Sequence, residues 1–422
     1  MTRTRTLTAA AAATLASAVL ASVAGSAASA AADARPSAGP APASSGAAAV
    51  QWQWRVTTPL GLPGFGSVAV DDKHQVVYVT GGAGGNSVLV VGFDGQVKQT
   101  IDKQYGASGL VLSADGSTLY VALASGDAVS AIDTSTLKQK ASYATPVPHT
   151  CPTTLARTGS SVWIGYGCGQ DWTAGVGVLD TSAASPQIVL QRQDTTGKDV
   201  RYLNAPLVSA ANAATGPLAV GEPGLSPATI ATYKATGATL SLMHSHPRAG
   251  SNLADLALAP DGSAVFAAAG SADRVDAFTP SDLSDTGGYT TGPAPTAIAL
   301  SPDGTMLAAT QAEPYAPLTV FQVGGTASTS AYVLPAGETP AARGVAFSGD
   351  GTRLFEVVRT TAPASGTPGR GNGNSDTHGF SLVELQSVPI PPVLGTTSAQ
   401  TSATAAIPAT SNVPDFFSRI PW

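Results

Sequence analysis

Two histidines separated by one serine form the closest pair of metal-binding side chains in this sequence, His244 and His246. Side chains two residues apart on a β-strand point to the same side, so both imidazoles could ligate one zinc ion. His149 or Glu222 would supply the third ligand. The alternative, which we prefer, is a solvated strand end before Pro247.

The chain contains two cysteines, Cys151 and Cys168. Their spacing does not fit a metal site with four ligands, and in an exported chain a disulfide is the leading interpretation, with two free thiols as the weaker one. Trp172 follows the second cysteine closely. An indole in a loop fixed by a disulfide is ordered in advance for stacking on a sugar or peptide, so Trp172 is a candidate ligand contact.

Other patterns that would carry catalysis are missing from the sequence. No Gly-x-Ser-x-Gly motif occurs, and a disulfide would leave no cysteine for a cysteine–histidine nucleophile pair. The stretch 369–379 (GRGNGNSDTHG) lacks the lysine and the helix of a phosphate-binding loop. It indicates a flexible loop, although the spacing of Asn374 and Asp376 has some resemblance to a calcium loop. We therefore assign no catalytic residue, metal or cofactor.

Charge excludes one class of partner. The chain has 21 Lys and Arg against 27 Asp and Glu, for a net charge of -6, and its basic residues are scattered singly. Nucleic-acid binding requires clustered basic side chains to neutralise phosphates, so we expect no nucleic-acid partner. Hydrophobic residues make up 43% of the chain, which is enough for a sizeable core.

The two ends of the sequence differ in composition from the middle. Residues 1–30 resemble a secretory signal, with Arg3 and Arg5 before an apolar stretch and Ala28 to Ala30 as a small-residue cleavage pattern. Residues 31–50 and 389–422 are rich in small residues and proline, which predicts a disordered linker and a C-terminal tail. The apolar stretch from Ala9 to Ala24 is too short and too rich in alanine for a transmembrane helix, and no second segment of 18 apolar residues exists. We therefore expect a secreted, soluble protein without a transmembrane segment.

Between these ends, a strand–turn–strand unit occurs seven times. The clearest copies carry Asp-Gly turns, at Asp115, Asp261, Asp303 and Asp350, and the seven turns are 42 to 47 residues apart, with one gap of 57. A unit of four short strands needs about 40–50 residues, so the repeat predicts an all-β, seven-bladed β-propeller over residues 51–388. The long gap contains residues 194–204, which indicates an inserted loop.

The last unit has candidates for only three strands, whereas residues 51–58 (QWQWRVTT) form a strand with no unit of their own. We expect this N-terminal strand to complete the seventh blade and close the ring. Strand direction alternates within a blade, so the Asp-Gly turns share one face, here called the bottom. The loops before the first strand and after the second strand of each blade share the opposite face, here called the top. Cys151 and Cys168 should meet at the top.

The top-face loops carry the predicted ligand-binding residues, which are Trp172, His149, His246, Arg248, Arg274 and Arg343. Loops of a propeller converge around its central channel, which makes this face the expected contact surface. Polar residues are also common in loops because loops are solvated, and that interpretation stays open for each of the six.

The second unit, LYVALASGDAVSAIDTSTLKQKASYATPVPHTCPTTLA, resembles the YVTN β-propeller repeat. The resemblance lies in Leu119 to Val121, in Ser125 to Asp127 and in Ile132 to Thr134. It covers roughly residues 51–388 and is weaker in the third, fourth and seventh units. The related propellers include lactonase-like, streptogramin lyase-like and WD-repeat-like proteins. The resemblance implies the fold more strongly than any activity.

Three functions are compatible with these patterns. We prefer a non-catalytic binding or scaffold module, most simply a monomer, whose partner is a protein, a peptide or a glycan. The second is a metal-assisted lyase or lactonase-like hydrolase with its site at the mouth of the channel. The third is a cell-envelope protein held to its partner by the aromatic C-terminal tail.

Overall fold

The computed structural model describes residues 50–211, 213, 215–246, 250–313, 317–360 and 379–389. The signal, most of the linker and tail, and the Gly-rich loop lie outside this described part, so their assignments stay predictions. The described residues form 29 β-strands and one short 3₁₀ turn at Gly82–Gly84. In these residues, we find no helix with the length and apolar character needed to cross a membrane.

The strands follow one another along the chain in groups of four. The first strand and blades 1 to 3 are β1 Val50–Pro59; β2 Val68–Asp71, β3 Val76–Thr80, β4 Ser87–Gly92, β5 Val97–Asp102; β6 Ala107–Leu112, β7 Thr118–Leu123, β8 Ala128–Asp133, β9 Lys138–Ala144; β10 Pro152–Thr158, β11 Ser161–Tyr166, β12 Ala174–Asp180, β13 Ile188–Gln191, and the extra β14 Arg201–Tyr202.

Blades 4 to 7 continue the pattern. Their strands are β15 Leu207–Ala210, β16 Gly216–Gly221, β17 Ile230–Thr236, β18 Thr239–His246; β19 Leu253–Leu258, β20 Val265–Ala269, β21 Arg274–Phe278, β22 Asp285–Thr290; β23 Pro295–Leu300, β24 Met306–Gln311, β25 Pro317–Gln322, β26 Ser328–Val333; and β27 Glu338–Phe347, β28 Arg353–Thr360, β29 Gly379–Pro389.

Each group forms an antiparallel sheet in which consecutive strands are neighbours, so the predicted seven-bladed propeller is confirmed. Blade 3 departs from the simple pattern. The inserted segment 194–204 returns to the blade, and its strand β14 pairs with β12 beyond the end of β13. The carboxylate of Asp194 stabilises this return by accepting hydrogen bonds from the backbone N–H groups of Thr196, Lys198 and Leu242.

The N-terminal strand completes the seventh blade, as the sequence predicts. The strand order in this blade is β27, β28, β29 and β1, and β1 runs antiparallel to β29 from Val50 opposite Pro389 to Pro59 opposite Ser381. Trp52 is buried there and meets the ring of Phe347 edge-on at 5.8 Å between centroids. Ring closure thus rests on a strand from one end of the propeller and three from the other.

The hydrophobic core consists of seven apolar layers, one between each pair of adjacent blades. The middle strands contribute to two layers at once, which explains why β7 (TLYVAL) is buried at every position instead of alternating. The outer strands face solvent, and β9 (KQKASYA) is polar and largely exposed. The layer between blades 7 and 1 contains Phe355, Val357 and Val77, so apolar packing also closes the ring.

The bottom turns are built by the repeated Asp-Gly pairs. The carboxylate of Asp303 accepts hydrogen bonds from the Ser301 hydroxyl and from the backbone N–H of Thr305, and these bonds hold its pKa below the usual value although burial opposes them. The following Gly304 has φ of +72°, a conformation that side chains disfavour. The repeat is therefore explained by turn geometry.

Candidate functional site

The inner strand is the first strand of each blade, and in five blades its upper half carries a β-bulge. The register skips a residue between Pro152 and Thr154 in blade 3 and between Leu253 and Asp255 in blade 5, with similar breaks in blades 2, 6 and 7. A bulge bends a strand and redirects its side chains, and bulges are frequent beside binding sites. All five lie around the upper part of the central channel.

A cavity of about 160 Å³ occupies this part of the channel. All seven blades line it, blade 1 through Ser67 directly before β2 and the other six through their inner strands, at Gly109, Thr153, Val208, Asp255, Ile298 and Arg343. Gly109 allows the inner strands of blades 2 and 3 to approach closely, because a Cβ atom there would lie 2.7 Å from the carbonyl oxygen of Thr153. Among the described residues that line the cavity, Asp255 and Arg343 are the only charged ones, which makes them its chemically distinctive part.

Asp255 is held in place by the backbone. Its Oδ2 accepts a hydrogen bond of 2.8 Å from the N–H of Ile298 in the next blade, and its Oδ1 accepts one from the N–H of Leu256. Protein surrounds the carboxyl group, although water can reach it through the cavity. This burial raises the pKa of Asp255 to about 6, against the opposing effects of the Ile298 N–H and the positive charge of Arg343.

Arg343 lies in the largest of the five bulges, where the register passes from Pro340 directly to Val345. Its backbone φ of +60° is uncommon for a residue with a side chain, a kind of local strain that clusters at functional sites. Burial lowers the pKa of its guanidinium, which Asp255 partly offsets. No hydrogen bond or ion pair joins the guanidinium to another of the described residues, Asp255 included, so its donors face the cavity.

A second arginine of the channel shows the contrast. Arg157 lines a lower cavity of about 400 Å³, where its Nε donates to the carbonyl of Leu112 and its Nη1 donates to the carbonyl of Gly159, both at 3.0 Å. The first bond joins the inner strands of blades 2 and 3, and the second stays within the turn that follows β10. Arg157 therefore has a structural role, whereas Arg343 keeps its donors available.

The predicted disulfide is confirmed at the top of blade 3. Cys151 immediately precedes β10 and Cys168 follows β11, with their Cα atoms 5.1 Å apart. The loop before Cys151 is fixed by Asp127, whose carboxylate accepts hydrogen bonds from the backbone N–H groups of His149, Thr150 and Cys151 at 2.7 to 2.9 Å. Burial acts against the charged carboxylate, but these three donors leave the pKa of Asp127 below its usual value.

The structure places Trp172 and His149 on loops tied to this disulfide. Trp172 lies in the loop between β11 and β12, is 58% exposed and has φ of +59°. The neighbouring Asp171 accepts hydrogen bonds from the backbone N–H and hydroxyl of Thr173, which turns the loop and presents the indole to solvent. The imidazole of His149 is exposed.

The other predicted contact residues lie further round the ring. Arg274 begins β21 in blade 5 and pairs with Asp276 at 2.5 Å and with Asp285 at 3.6 Å. His246 ends the outer strand β18 of blade 4, where its backbone pairs with Ile230. Arg248 is outside the described residues. Of the four whose side chains the structure describes, which are Trp172, His149, Arg274 and Arg343, only Arg343 lines the channel cavity.

Asp255 is the functional candidate that the sequence prediction missed. Aligned on the Asp-Gly turns, the repeats place Asp255 where the other clear copies have Gly109, Ala297 and Gly344. An alignment of the repeats could have identified Asp255, because it places a charged residue in the innermost strand where the other copies have glycine or alanine.

One cluster in the described residues brings together three side chains of metal-binding type, namely Asp127, Cys151 and Cys168. Both cysteine sulfurs are in the disulfide, so this cluster does not fit a metal ion. In the described part of the chain, His244 belongs to no such group of three, and the carboxylate of Asp282 is its electrostatic neighbour.

Neither a family model nor a curated protein matches the sequence. Among solved structures, the chain is similar to one described as Kuenenia stuttgartiensis hydrazine synthase, with a TM-score of 0.50 and 16% sequence identity. The similarity covers 71% of this chain and 94% of that one. At this level of identity it supports the β-propeller fold and carries no information about activity.

Proposed function

We propose that this protein is an exported, non-catalytic binding module that holds a small polar group of its ligand in the upper channel cavity. The observation that carries the proposal is the pair of charged residues in one cavity, namely Arg343, whose donors face the cavity, and Asp255, which backbone hydrogen bonds fix two blades away. The resemblance to YVTN-type propellers supports the same function, since most proteins of that family resemble binding or surface modules.

The cavity indicates the chemistry of the bound group. A guanidinium binds carboxylates through two parallel hydrogen bonds, and a carboxylate accepts hydrogen bonds from ammonium or hydroxyl groups. A volume of about 160 Å³ is similar to that of an engineered protein cavity of about 150 Å³ that holds benzene, so the occupant is a small zwitterion or the end of a longer chain. A peptide or glycan would extend upward towards His149 and Trp172, which are exposed at the top.

A ligand series with controlled charge separation tests the proposal. Glycine, β-alanine and γ-aminobutyrate would be titrated by calorimetry, with acetate and methylammonium as probes that carry a single charge. We expect one zwitterion to bind with 1:1 stoichiometry and Arg343→Gln to weaken it at least tenfold. The matched control is Arg274→Gln, since Arg274 lies outside the cavity. Equal weakening by both variants, or no binding of any probe, would contradict a channel site.

A second candidate function is acid–base catalysis in the same cavity. A carboxyl group with a pKa of about 6 exchanges its proton near neutral pH, which suits a general base in the lactonase-like or lyase-like reactions that the resemblance implies. An aliphatic lactone would be incubated with the wild type and with Asp255→Asn. A turnover rate that Asp255→Asn lowers at least a hundredfold would favour the catalytic function. Equal background rates for the wild type and the variant would favour the binding function.

Export rests on the first 30 residues and is tested separately. Expression of the full chain should release a protein into the medium whose N-terminal sequence begins after Ala30. An intact N-terminus on intracellular protein would contradict this part of the proposal.

A further inference from the structure

The disulfide at the top of blade 3 lies beside a carboxylate of blade 2. The sulfur atoms of Cys151 and Cys168 and a carboxylate oxygen of Asp127 all lie within 4.8 Å of one another. Asp127 directly precedes β8, so it belongs to the neighbouring blade. Cys168 is exposed, whereas Cys151 and Asp127 are partly buried. Three side chains of metal-binding type therefore meet where a reductant and a metal ion can reach them from solvent.

The backbone around the two cysteines holds them together independently of their covalent bond. They flank the hairpin of β10 and β11, in which Pro152 lies opposite Tyr166. Beyond this pair, the N–H of Gly167 donates to the carbonyl of Cys151 at 3.2 Å. The Cα atoms of the two cysteines are 5.1 Å apart. We therefore expect that opening the disulfide leaves two thiols side by side at the end of one hairpin.

The carboxylate of Asp127 is also fixed without the disulfide. It accepts hydrogen bonds from the backbone N–H groups of His149, Thr150 and Cys151, and these bonds hold its pKa below the usual value, so it is charged at neutral pH. Its Oδ2 accepts one of the three bonds, which leaves acceptor capacity for a further partner. Asp127, His149 and Cys151 have φ of +46°, +56° and +48°, a kind of local strain that clusters at functional sites.

The intact disulfide keeps a metal ion out of this cluster, and a dithiol reductant would remove that obstacle. The dithiol attacks one sulfur, the S–S bond breaks, and two thiols form while the reductant closes a disulfide of its own. A divalent ion then displaces the two thiol protons, because the thiolate is the metal ligand.

The donor spacing is close to what zinc requires. Ligand distances of about 2.0–2.3 Å place two ligands of one zinc ion at most about 4.6 Å apart, so small shifts bring all three donors to one ion. The sulfurs must separate for this, and Cys168 has room to move. It lies between Gly167 and Gly169, and a Cβ atom at Gly169 would meet no other atom within 4 Å.

We propose that the reduced protein binds one divalent cation of the zinc type through Cys151, Cys168 and Asp127. Two thiolates and one carboxylate suit zinc, whereas calcium and magnesium prefer oxygen ligands alone. The fourth position is left to water, since the site opens to solvent at Cys168. The ion would link the top loops of blades 2 and 3, so a metal in the reduced state replaces the covalent link of the oxidised state beside the loop that carries Trp172.

Cobalt(II) is the probe, because thiolates bound to Co²⁺ give a charge-transfer absorption in the near ultraviolet. The full-length protein would be reduced with dithiothreitol, freed of the reagent by gel filtration without oxygen, and titrated at pH 7.5. We expect the reduced protein to bind one Co²⁺ per chain with this absorption, Zn²⁺ to abolish it by displacing the cobalt, and the oxidised protein to show none. No absorption from the reduced protein, the same absorption from the oxidised protein, or one ion shared by two chains would overturn the proposal.

Two variants test the carboxylate. Asp127→Asn keeps an oxygen that accepts the backbone hydrogen bonds but removes the charge, and it should weaken Co²⁺ binding at least tenfold. The matched control is Asp133→Asn at the opposite end of β8, where the carboxylate likewise accepts bonds from the backbone N–H groups of Ser135 and Thr136. Its affinity should equal that of the wild type, and equal affinity in both variants would contradict Asp127 as a ligand.

A cysteine variant keeps the test decisive if Asp127→Asn fails to fold after reduction, as judged by circular dichroism. Cys168→Ser changes an exposed side chain and should abolish the one-to-one binding of Co²⁺ together with its thiolate absorption. Undiminished absorption and affinity in Cys168→Ser would overturn the proposed site.

Discussion

Glu356 is 0% exposed in β28, where it alternates with Leu354 and Val358 of the apolar layer between blades 6 and 7. Replacing it by glutamine should make the stability of the protein less sensitive to pH. In the folded state burial raises the pKa of this carboxyl group from the ordinary 4.5 to about 8, whereas an unfolded chain restores the ordinary value. A group whose pKa is raised on folding stabilises the folded state fully below pH 4.5. This stabilisation is lost as the pH rises from 4.5 towards 8, because the unfolded chain releases the proton in this range and gains free energy from its ionisation, whereas the folded protein keeps the proton.

The size of the effect follows from the shift. Each pKa unit corresponds to about 1.4 kcal/mol, so a rise from 4.5 to about 8 amounts to at most about 5 kcal/mol between pH 4.5 and pH 8. Glutamine keeps the shape of the protonated side chain but cannot ionise. We therefore expect the two proteins to be about equally stable near pH 4.5, and Glu356→Gln to be more stable by several kcal/mol at pH 8.

Urea denaturation in EDTA, followed by tryptophan fluorescence at half-unit steps from pH 4.5 to pH 8.5, measures this difference. The pH dependence of groups that do not interact with Glu356 is common to both proteins and cancels in the difference, which leaves the titration of Glu356 and of its electrostatic neighbour Glu338. Glu313→Gln should differ from the wild type by the same small amount at every pH, since Glu313 is exposed. A difference for Glu356→Gln that stays within about 1 kcal/mol over the whole range would refute the placement of Glu356 in an apolar layer.

Three further stability measurements concern the disulfide, its supporting carboxylate and the closing strand. Because the disulfide spans 17 residues, replacing Cys151 and Cys168 by serine should cost about 3 kcal/mol in urea denaturation, and reduction of the wild type should match this loss. Asp127→Asn should cost about 2 kcal/mol at pH 7 and progressively less as the pH falls below the ordinary carboxyl pKa of 3.8, because the lowered pKa of Asp127 stabilises the folded state only while the carboxylate is charged; a cost that is constant with pH would count against it. Trp52→Ala should cost about 3–5 kcal/mol, whereas Trp54→Ala, at a side chain that is 52% exposed, should cost under about 1; similar costs would show that β1 is not packed as described.

The fold was accessible from sequence because the repeat is local. Each Asp-Gly turn joins two strands that are neighbours in sequence, so its residues predict the hairpin without reference to the rest of the chain. The position of the closing strand was also deducible, since residues 51–58 have no unit of their own and the last unit lacks a strand. The disulfide followed from the same hairpin geometry, which brings Cys151 and Cys168 to one end of paired strands.

The channel site was less accessible, because it depends on where side chains point. Arg343 and Arg274 look alike in sequence, as single arginines near the start of a strand. A bulge turns Arg343 into the channel, whereas regular pairing leaves Arg274 beside Asp276 on blade 5. Glu356 shows the same limit, since an isolated glutamate in an apolar strand does not disclose which neighbours the next blade brings to it. Register and packing between blades decide these roles, and neither is a local property of the sequence.

The antiparallel pairing of β1 with β29 has a mechanical consequence. Val50 lies opposite Pro389, so the polypeptide joins and leaves the ring at the same end of the same strand pair. Tension between the segments before residue 50 and after residue 389 would load the hydrogen bonds of this pair one after another, as in a zipper, and not all together, as in shear. The pairing of β1 with β29 is therefore expected to open first when these two segments are pulled apart. A partner that holds both segments together would keep β1 paired with β29.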